Sequence, residues 1–194
     1  MFSIRPMFEE ELEGVYARVA RDFPPIEYPP LRKMKGHVAQ RAVEGHLYQE
    51  GDRQGAYAFV LRAPTTPRAL LLLYAVEPEL RAQGMGSSFL GDLAVQYAGA
   101  AGLYAEVEKE ELALDDEQRR ICRRRIAFYE RLGFVRVAGL FYSIYGVEMH
   151  LYYKPLAQKN IPDAQQAIED VTALYHHILR PNERHNLDAR VMED

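Results

Sequence analysis

Leu70–Val76 reads LLLLYAV, Glu77–Gly86 reads EPELRAQGMG, and SSFLGDLAVQYAG follows from Ser87. An apolar run stops at a proline, a short glycine-containing loop follows, and an amphipathic segment begins at about Gly86. That succession predicts strand, loop and helix. The loop has the spacing R-x-x-G-x-G, from Arg81, Gly84 and Gly86. Glycine tolerates positive φ and lets a ligand approach the backbone. The helix beyond it turns its unpaired N–H groups and the positive end of its dipole toward the loop. An anion is the expected occupant, most simply a phosphate.

On the carboxyl side of this stretch, Leu103–Glu108 alternates, with Leu103, Ala105 and Val107 facing one way and Tyr104, Glu106 and Glu108 the other. A strand after strand and helix makes a βαβ unit, which is parallel and right-handed. The acidic run EKEELALDDEQ then leads into a helix. Asp115 is its expected N-cap with Gln118 in capping-box position, and Ile121, Cys122, Ile126, Phe128, Tyr129 and Leu132 are its apolar positions. Gly133 ends it, and Phe134–Val137 and Val147–Tyr153 read as closing strands. Pro155 separates this body from a tail with helical spacing from Ala167 to Ile178. Beyond Pro181 the polar sequence NERHNLDARVMED reads as frayed.

On the amino side, Phe2–Arg5 suits a first strand and Phe8 to Val19 a helix. Glu9, Glu10, Glu11 and Glu13 belong to the solvated face and first turn of that helix rather than to a functional acidic patch. DFPPIEYPP is stiff and extended, either a clamped helix connection or a wall of a substrate pocket. Leu31, Met34, Val38 and Ala42 predict a second helix stopped by Gly45. His46–Glu50 and Gly55–Arg62 then bracket a hairpin turn.

The whole chain has 194 residues, one domain by length, with 48% hydrophobic and 27% charged residues, as in ordinary globular proteins. A net charge of −4 argues against a general nucleic-acid or anionic-membrane binder. No run approaches the roughly 20 apolar residues of a membrane span, and no secretory leader pattern is visible. The single Cys122 excludes an intrachain disulfide framework and fits a reducing, cytoplasmic setting. His and carboxylate spacings match no metal motif, so no metal is expected.

The order β-α-α-β-β-β-α-β-α-β-β, with R-x-x-G-x-G after the fourth strand and FYERLGF at Phe128–Phe134, resembles the GNAT superfamily of N-acetyltransferases. The likeness spans about residues 1–156, with 157–194 as a C-terminal helical extension rather than an independent domain. It implies a mixed α/β, mostly antiparallel sheet with a central splayed parallel strand pair, flanking helices and the C-terminal helix. It also implies acetyl-CoA as acyl donor in the cleft of that pair. Backbone groups at Ala75 and Val76 would hold the pantetheine arm. Those of Arg81, Ala82, Gln83, Gly84, Met85, Gly86 and Ser87 would hold the pyrophosphate.

By the same resemblance Tyr129 is the acid near the departing sulfur, since a thiolate of pKa about 8.5 must be stabilised and a phenol of pKa about 10 can do it. Glu108, or Glu106 beside it, is the candidate base; the plain alternative is pairing with the arginines at 119, 120 and 123–125. Many relatives carry Asn seven residues before the tyrosine and a small residue four before it. Here those positions are Cys122 and Arg125, which puts one cofactor contact in doubt and alters the acceptor side.

The implied reaction is direct attack by a primary amine, small-molecule or peptide, in a ternary complex. The acidic stretch Glu106–Glu117 favours a cationic acceptor, and Tyr142 and Tyr145 either line its pocket or pack the closing strands. The alternative is a catalytically idle acyl-CoA-binding or protein-interaction module. In that alternative the tail helix docks on a partner; otherwise it covers its parent domain or builds a homodimer contact.

Overall fold

The structure, a computed structural model, describes residues 1–192. These residues pack as two compact units, one of Met1–Arg62 with Leu71–Gln96 and the other of Ala63–Leu70 with Tyr97 onward. Every element is part of a mixed α/β, mostly antiparallel arrangement with flanking helices and a C-terminal helix, the class expected from the sequence.

The first unit contains β1 (Ser3–Pro6), α1 (Leu12–Asp22), α2 (Leu31–Ala39), β2 (Val43–Glu50) and β3 (Arg53–Arg62). It also holds β4 (Ala69–Val76) from Leu71 onward and α3 (Met85–Gln96). Its strand order is β1-β2-β3-β4. β1 and β2 are antiparallel with Ile4 opposite Tyr48, and β2 and β3 are antiparallel with Leu47 opposite Tyr57.

Phe89 of α3 anchors the core of this unit. Its ring stacks on Tyr48 at 5.0 Å and on Tyr74 at 5.3 Å between centroids, fixing α3 by aromatic contact. Leu12, Val15 and Val19 bury the i, i+3, i+7 stripe of α1. The proline-rich connection is clamped by Tyr16, whose ring meets Tyr28 edge-on and whose hydroxyl donates to the Pro29 carbonyl. Glu11 differs from its expected solvated role, since it pairs with Arg5 and caps the Phe8 N–H.

The second helix is shorter than its periodicity predicts. α2 ends at Ala39 because Arg41 takes φ 57, and Gly45 lies within β2 against the Met7 side chain. Side-chain spacing continued past the point where the backbone had already turned.

The second unit holds β5 (Gly102–Glu108), α4 (Asp116–Arg131), β6 (Val135–Arg136), β7 (Leu140–Ile144), β8 (Val147–Pro155), α5 (Ala164–Ile178) and β9 (Leu187–Val191). Its strand order is β5-β8-β7-β9, with β6 also on β8, and all these pairings are antiparallel. The Asp115 cap forms, its Oδ1 accepting from the Gln118 N–H at 2.7 Å; the Gln118 side chain reaches the Leu114 N–H instead of closing the box. Gly102 opens β5, where a Cβ would fall 2.1 Å from the Tyr153 hydroxyl.

Two strands correct the reading from sequence. FYSIYG is itself strand-forming: β7 runs from Leu140 to Ile144 and turns into β8 at Tyr145 and Gly146, both at positive φ. The polar tail is not frayed after Pro181, because β9 pairs with β7 from Leu140 opposite Val191 to Ile144 opposite Leu187. A five-residue edge strand of mixed polarity carries too weak a period to be read without its partner.

One buried carboxylate ties α5 to this unit. Asp170 accepts from the Tyr104 hydroxyl and the Thr66 hydroxyl, each at 2.7 Å, and pairs with Arg68 at 3.1 Å. The side chains of Arg68 and Asp170 are only 7% and 3% exposed. Asp170→Ala strands Arg68 without its counter-charge, and chemical denaturation should show a loss of about 3–5 kcal/mol.

Candidate active site

After β4 a single turn of tighter helix at Pro78–Leu80 brings the chain to the exposed loop 81–84, and α3 begins at Met85. Two residues in the loop take positive φ: Gly84 at 81, as the motif implies, and Ala82 at 60. Gly86 lies in the first turn of α3, where its carbonyl accepts from the Tyr74 hydroxyl at 2.6 Å. The Ser88 N–H is bonded back to the Gly84 carbonyl at 3.0 Å. The amides of Met85, Gly86 and Ser87 occupy the turn in which a helix leaves N–H groups without internal acceptors. The loop thus presents main-chain donors at a dipole's positive end, the geometry for an anion.

The Arg81 side chain is engaged within the first unit. Its Nε donates to the Val76 carbonyl at 2.8 Å and its Nη2 to Asp22 at 3.1 Å, so the guanidinium staples the end of β4 to α1. Asp22 also accepts from the Tyr57 hydroxyl at 3.0 Å and pairs with Arg21 at 2.9 Å; burial raises its carboxyl pKa, but Arg21, Tyr57 and Arg81 together bring it below the ordinary value. The Gln83 side chain donates to the Glu79 carbonyl at 2.6 Å. Ala75 is buried and Val76 half-buried at the end of β4. Ala75, Val76 and residues 81–87 are therefore all placed in the first unit.

Tyr129 and Glu108 belong to the second. Tyr129, on α4, is half-buried, with its ring edge-on to Phe128 at 5.3 Å and to Phe134 at 5.2 Å. Its hydroxyl has no hydrogen bond among the described residues; because no buried side-chain oxygen among them lacks one, this hydroxyl reaches solvent. Burial raises the Tyr129 pKa, Arg125 opposes that, and Glu108 and Glu106 add to it, so the phenol is held protonated.

Glu108, on β5, pairs with Arg125, one helical turn before Tyr129. The arginine alternative thus holds for Glu108 through the very residue that departs from the family pattern. The neighbouring Arg119, Arg120 and Arg123 pair with Asp116, Glu117 and Glu110 on the exposed surface. Cys122 is buried and burial pushes its thiol up, which leaves it a poor nucleophile.

Glu106 is bound differently. Its Oε1 accepts from the Tyr142 hydroxyl of β7 and from the Tyr175 hydroxyl of α5, the latter at 2.7 Å. Burial raises its carboxyl pKa, and the two hydroxyls pull it back. Tyr142 was legible as an aromatic near the closing strands. Tyr175 was read only as one apolar position of the tail helix, and nothing in its spacing marks a partner 69 residues away.

No family model matches the chain, and no curated protein matches it. Solved structures do. A Bacteroides thetaiotaomicron protein described as a GNAT-family acetyltransferase aligns over 87% of this chain and 93% of its own, with TM-score 0.69 and 20% identity. The ribosomal-protein-S18-alanine N-acetyltransferase of Escherichia coli aligns over 84% and 99%, with TM-score 0.58 and 22% identity. A spermidine N-acetyltransferase chimera built from the Vibrio cholerae enzyme and hSSAT aligns over 79% and 95%, with TM-score 0.60 and 11% identity. The fold of this chain is therefore the fold of GNAT acetyltransferases.

With isotope-labelled tyrosine, the ring resonance that Tyr129→Phe deletes should show no ionisation up to about pH 10. A midpoint below neutral-to-mildly-basic pH would remove the phenol as a proton donor.

Proposed function

We propose that this chain is an acetyl-CoA-dependent N-acetyltransferase acting on a primary amine, with residues 1–156 as the catalytic domain and 157–194 as its integral extension. The observation that carries the reading is Tyr129: a protonated, solvent-reached phenol held beside two carboxylates, on a fold whose solved neighbours are acetyltransferases.

Acetyl-CoA, when bound, supplies an acyl group activated as a thioester. The main-chain N–H groups of residues 82–87 fit its pyrophosphate, because they are donors at a helix N-terminus and need no particular side chain. This explains how Ala82 and Met85 serve in a binding loop. The backbone of Ala75 and Val76 fits the pantetheine arm as an added strand would. Arg81 contributes indirectly, by holding the end of β4 and the loop in register.

For the reaction, a carboxylate of β5, Glu108 or Glu106, takes the proton that an ammonium must lose before its nitrogen can attack. As the new C–N bond forms and the C–S bond breaks, Tyr129 donates its proton or a hydrogen bond to the departing sulfur. The raised pKa keeps the phenol protonated until the thiolate appears, which suits donation of a hydrogen bond to the sulfur more than full transfer of the proton. Two of the solved neighbours are named for an alanine of a ribosomal protein and for spermidine, both amine acceptors. The same acceptor class suits the carboxylates here. A catalytically idle module would bind CoA with no turnover.

Three outcomes check this. Free-thiol release from acetyl-CoA over an amine panel should be detectable, and Tyr129→Phe should lower kcat at least about tenfold with little change in acetyl-CoA binding. CoA at 100 times its Kd should stabilise the protein by about 2.7 kcal/mol in a thermal-shift titration. Gly84→Val forces a branched side chain to φ 81, and should weaken CoA binding while leaving the tyrosine chemistry intact at saturating donor.

A further inference from the structure

Glu106 is tied by neutral groups alone. Glu108, its neighbour on the same face of β5, has Arg125 as a cationic partner. Glu106 has only the hydroxyls of Tyr142 and Tyr175, and both converge on Oε1. Oε2 makes no hydrogen bond among the described residues, and because none of their fully buried side-chain oxygens lacks a partner, this atom of the half-buried side chain keeps some contact with solvent. The side chain is thus fixed at one oxygen and offered at the other. The two phenols stabilise the ionised carboxylate but bring no positive charge to it, while burial works against its ionised form. No cationic side chain among the described residues pairs with it.

Three elements are needed to make this arrangement. β5 supplies the carboxylate, opposite Leu151 of β8; β7 supplies Tyr142; and α5, outside the motif-bearing part of the chain, supplies Tyr175. Both tyrosines are buried, at 0% and 3% exposure, so their hydroxyls cannot swing to water and stay on Oε1. α5 is itself locked by Asp170, which places Tyr175 one turn and a residue further along the same helix. Two donors on one oxygen define the carboxylate plane in a way that a single flexible ion pair does not.

We propose that Tyr175, from the C-terminal helix, is a positioning residue of the acceptor site: with Tyr142 it fixes Glu106 so that Oε2 receives the ammonium group of a cationic amine. This deepens the transferase reading and rests on it. α5 is then part of the apparatus that selects the acceptor. The titratable groups around Glu106 are Tyr142 of β7, Tyr175 of α5 with Tyr145 beside it, Tyr129 of α4, and Glu108 on its own strand. The two hydroxyls stabilise the ionised carboxylate, so removing one makes Glu106 take up its proton at higher pH.

The test is full-length Tyr175→Phe, which keeps the ring and deletes the hydroxyl. Spermidine, lysine amide and an alanine-terminated peptide serve as acceptors in a thiol-release assay. KM for the amine should rise roughly tenfold, the size of one hydrogen bond to a charged group, with KM for acetyl-CoA unchanged. The acid-side midpoint of kcat/KM should move upward. Glu106→Gln should raise the amine KM further and abolish that acid-side dependence; it also serves if Tyr175→Phe folds poorly. Thr66→Val loosens α5 at Asp170 alone, and should lower Tm without moving the midpoint. If Tyr175→Phe behaves like Thr66→Val, or Glu106→Gln leaves the amine KM unchanged, the positioning role is overturned while the transferase reading stands. Wild-type protein that binds no acetyl-CoA would instead overturn the transferase reading, and the acceptor role with it.

Discussion

The burial of Asp170 is the constraint on which the second unit depends. A carboxylate so enclosed survives only with its charge matched and its oxygens bonded. Arg68 matches the charge; Tyr104 and Thr66 supply hydroxyls. Those partners come from β5 and from the segment just before β4, so α5 has one permitted seat. Tyr175 is carried into place on Glu106 by the same helix. A polar interaction in the core thus decides the geometry of a polar cluster nearer the surface.

The first unit solves a different problem. A loop that leads into the first turn of a helix has few main-chain hydrogen bonds of its own. Side chains around it supply the order instead. Arg81 returns to Val76 and Asp22, Gln83 to Glu79, and Tyr74 to Gly86. Asp22 is in turn held by Tyr57 from β3. The arginine of the R-x-x-G-x-G spacing is the brace of the loop, and the positive φ is shared between Ala82 and Gly84.

The two carboxylates of β5 show how identical side chains on one strand face acquire different chemistry. Glu108 faces a guanidinium, and its charge is compensated. Glu106 faces two phenols, and burial works against its ionised form while their hydroxyls favour it. Tyr129 responds to both, since negative charge nearby disfavours phenolate. Arg125, where the family pattern has a small residue, makes this difference.

The local grammar was legible in the sequence. The run to Val76, the proline, the glycine spacing and the amphipathic α3 were read correctly because each follows from short-range sterics and period. So was the Asp115 cap, where side chain and amide lie three residues apart. The mixed, mostly antiparallel class with its C-terminal helix was legible too, since element order and hydrophobic period are properties of the chain itself.

What tertiary structure alone decided are the long-range partners. α2 stopped early at Arg41, β7 formed within FYSIYG, and the polar tail became β9, because a short edge strand is defined by the neighbour it bonds. Arg81 turned to Asp22, and Glu106 acquired Tyr175, across separations of 59 and 69 residues. Periodicity reports which face of an element is apolar. It carries no information about which distant hydroxyl or carboxylate will meet that face, because that is settled only when burial makes every polar atom find a partner.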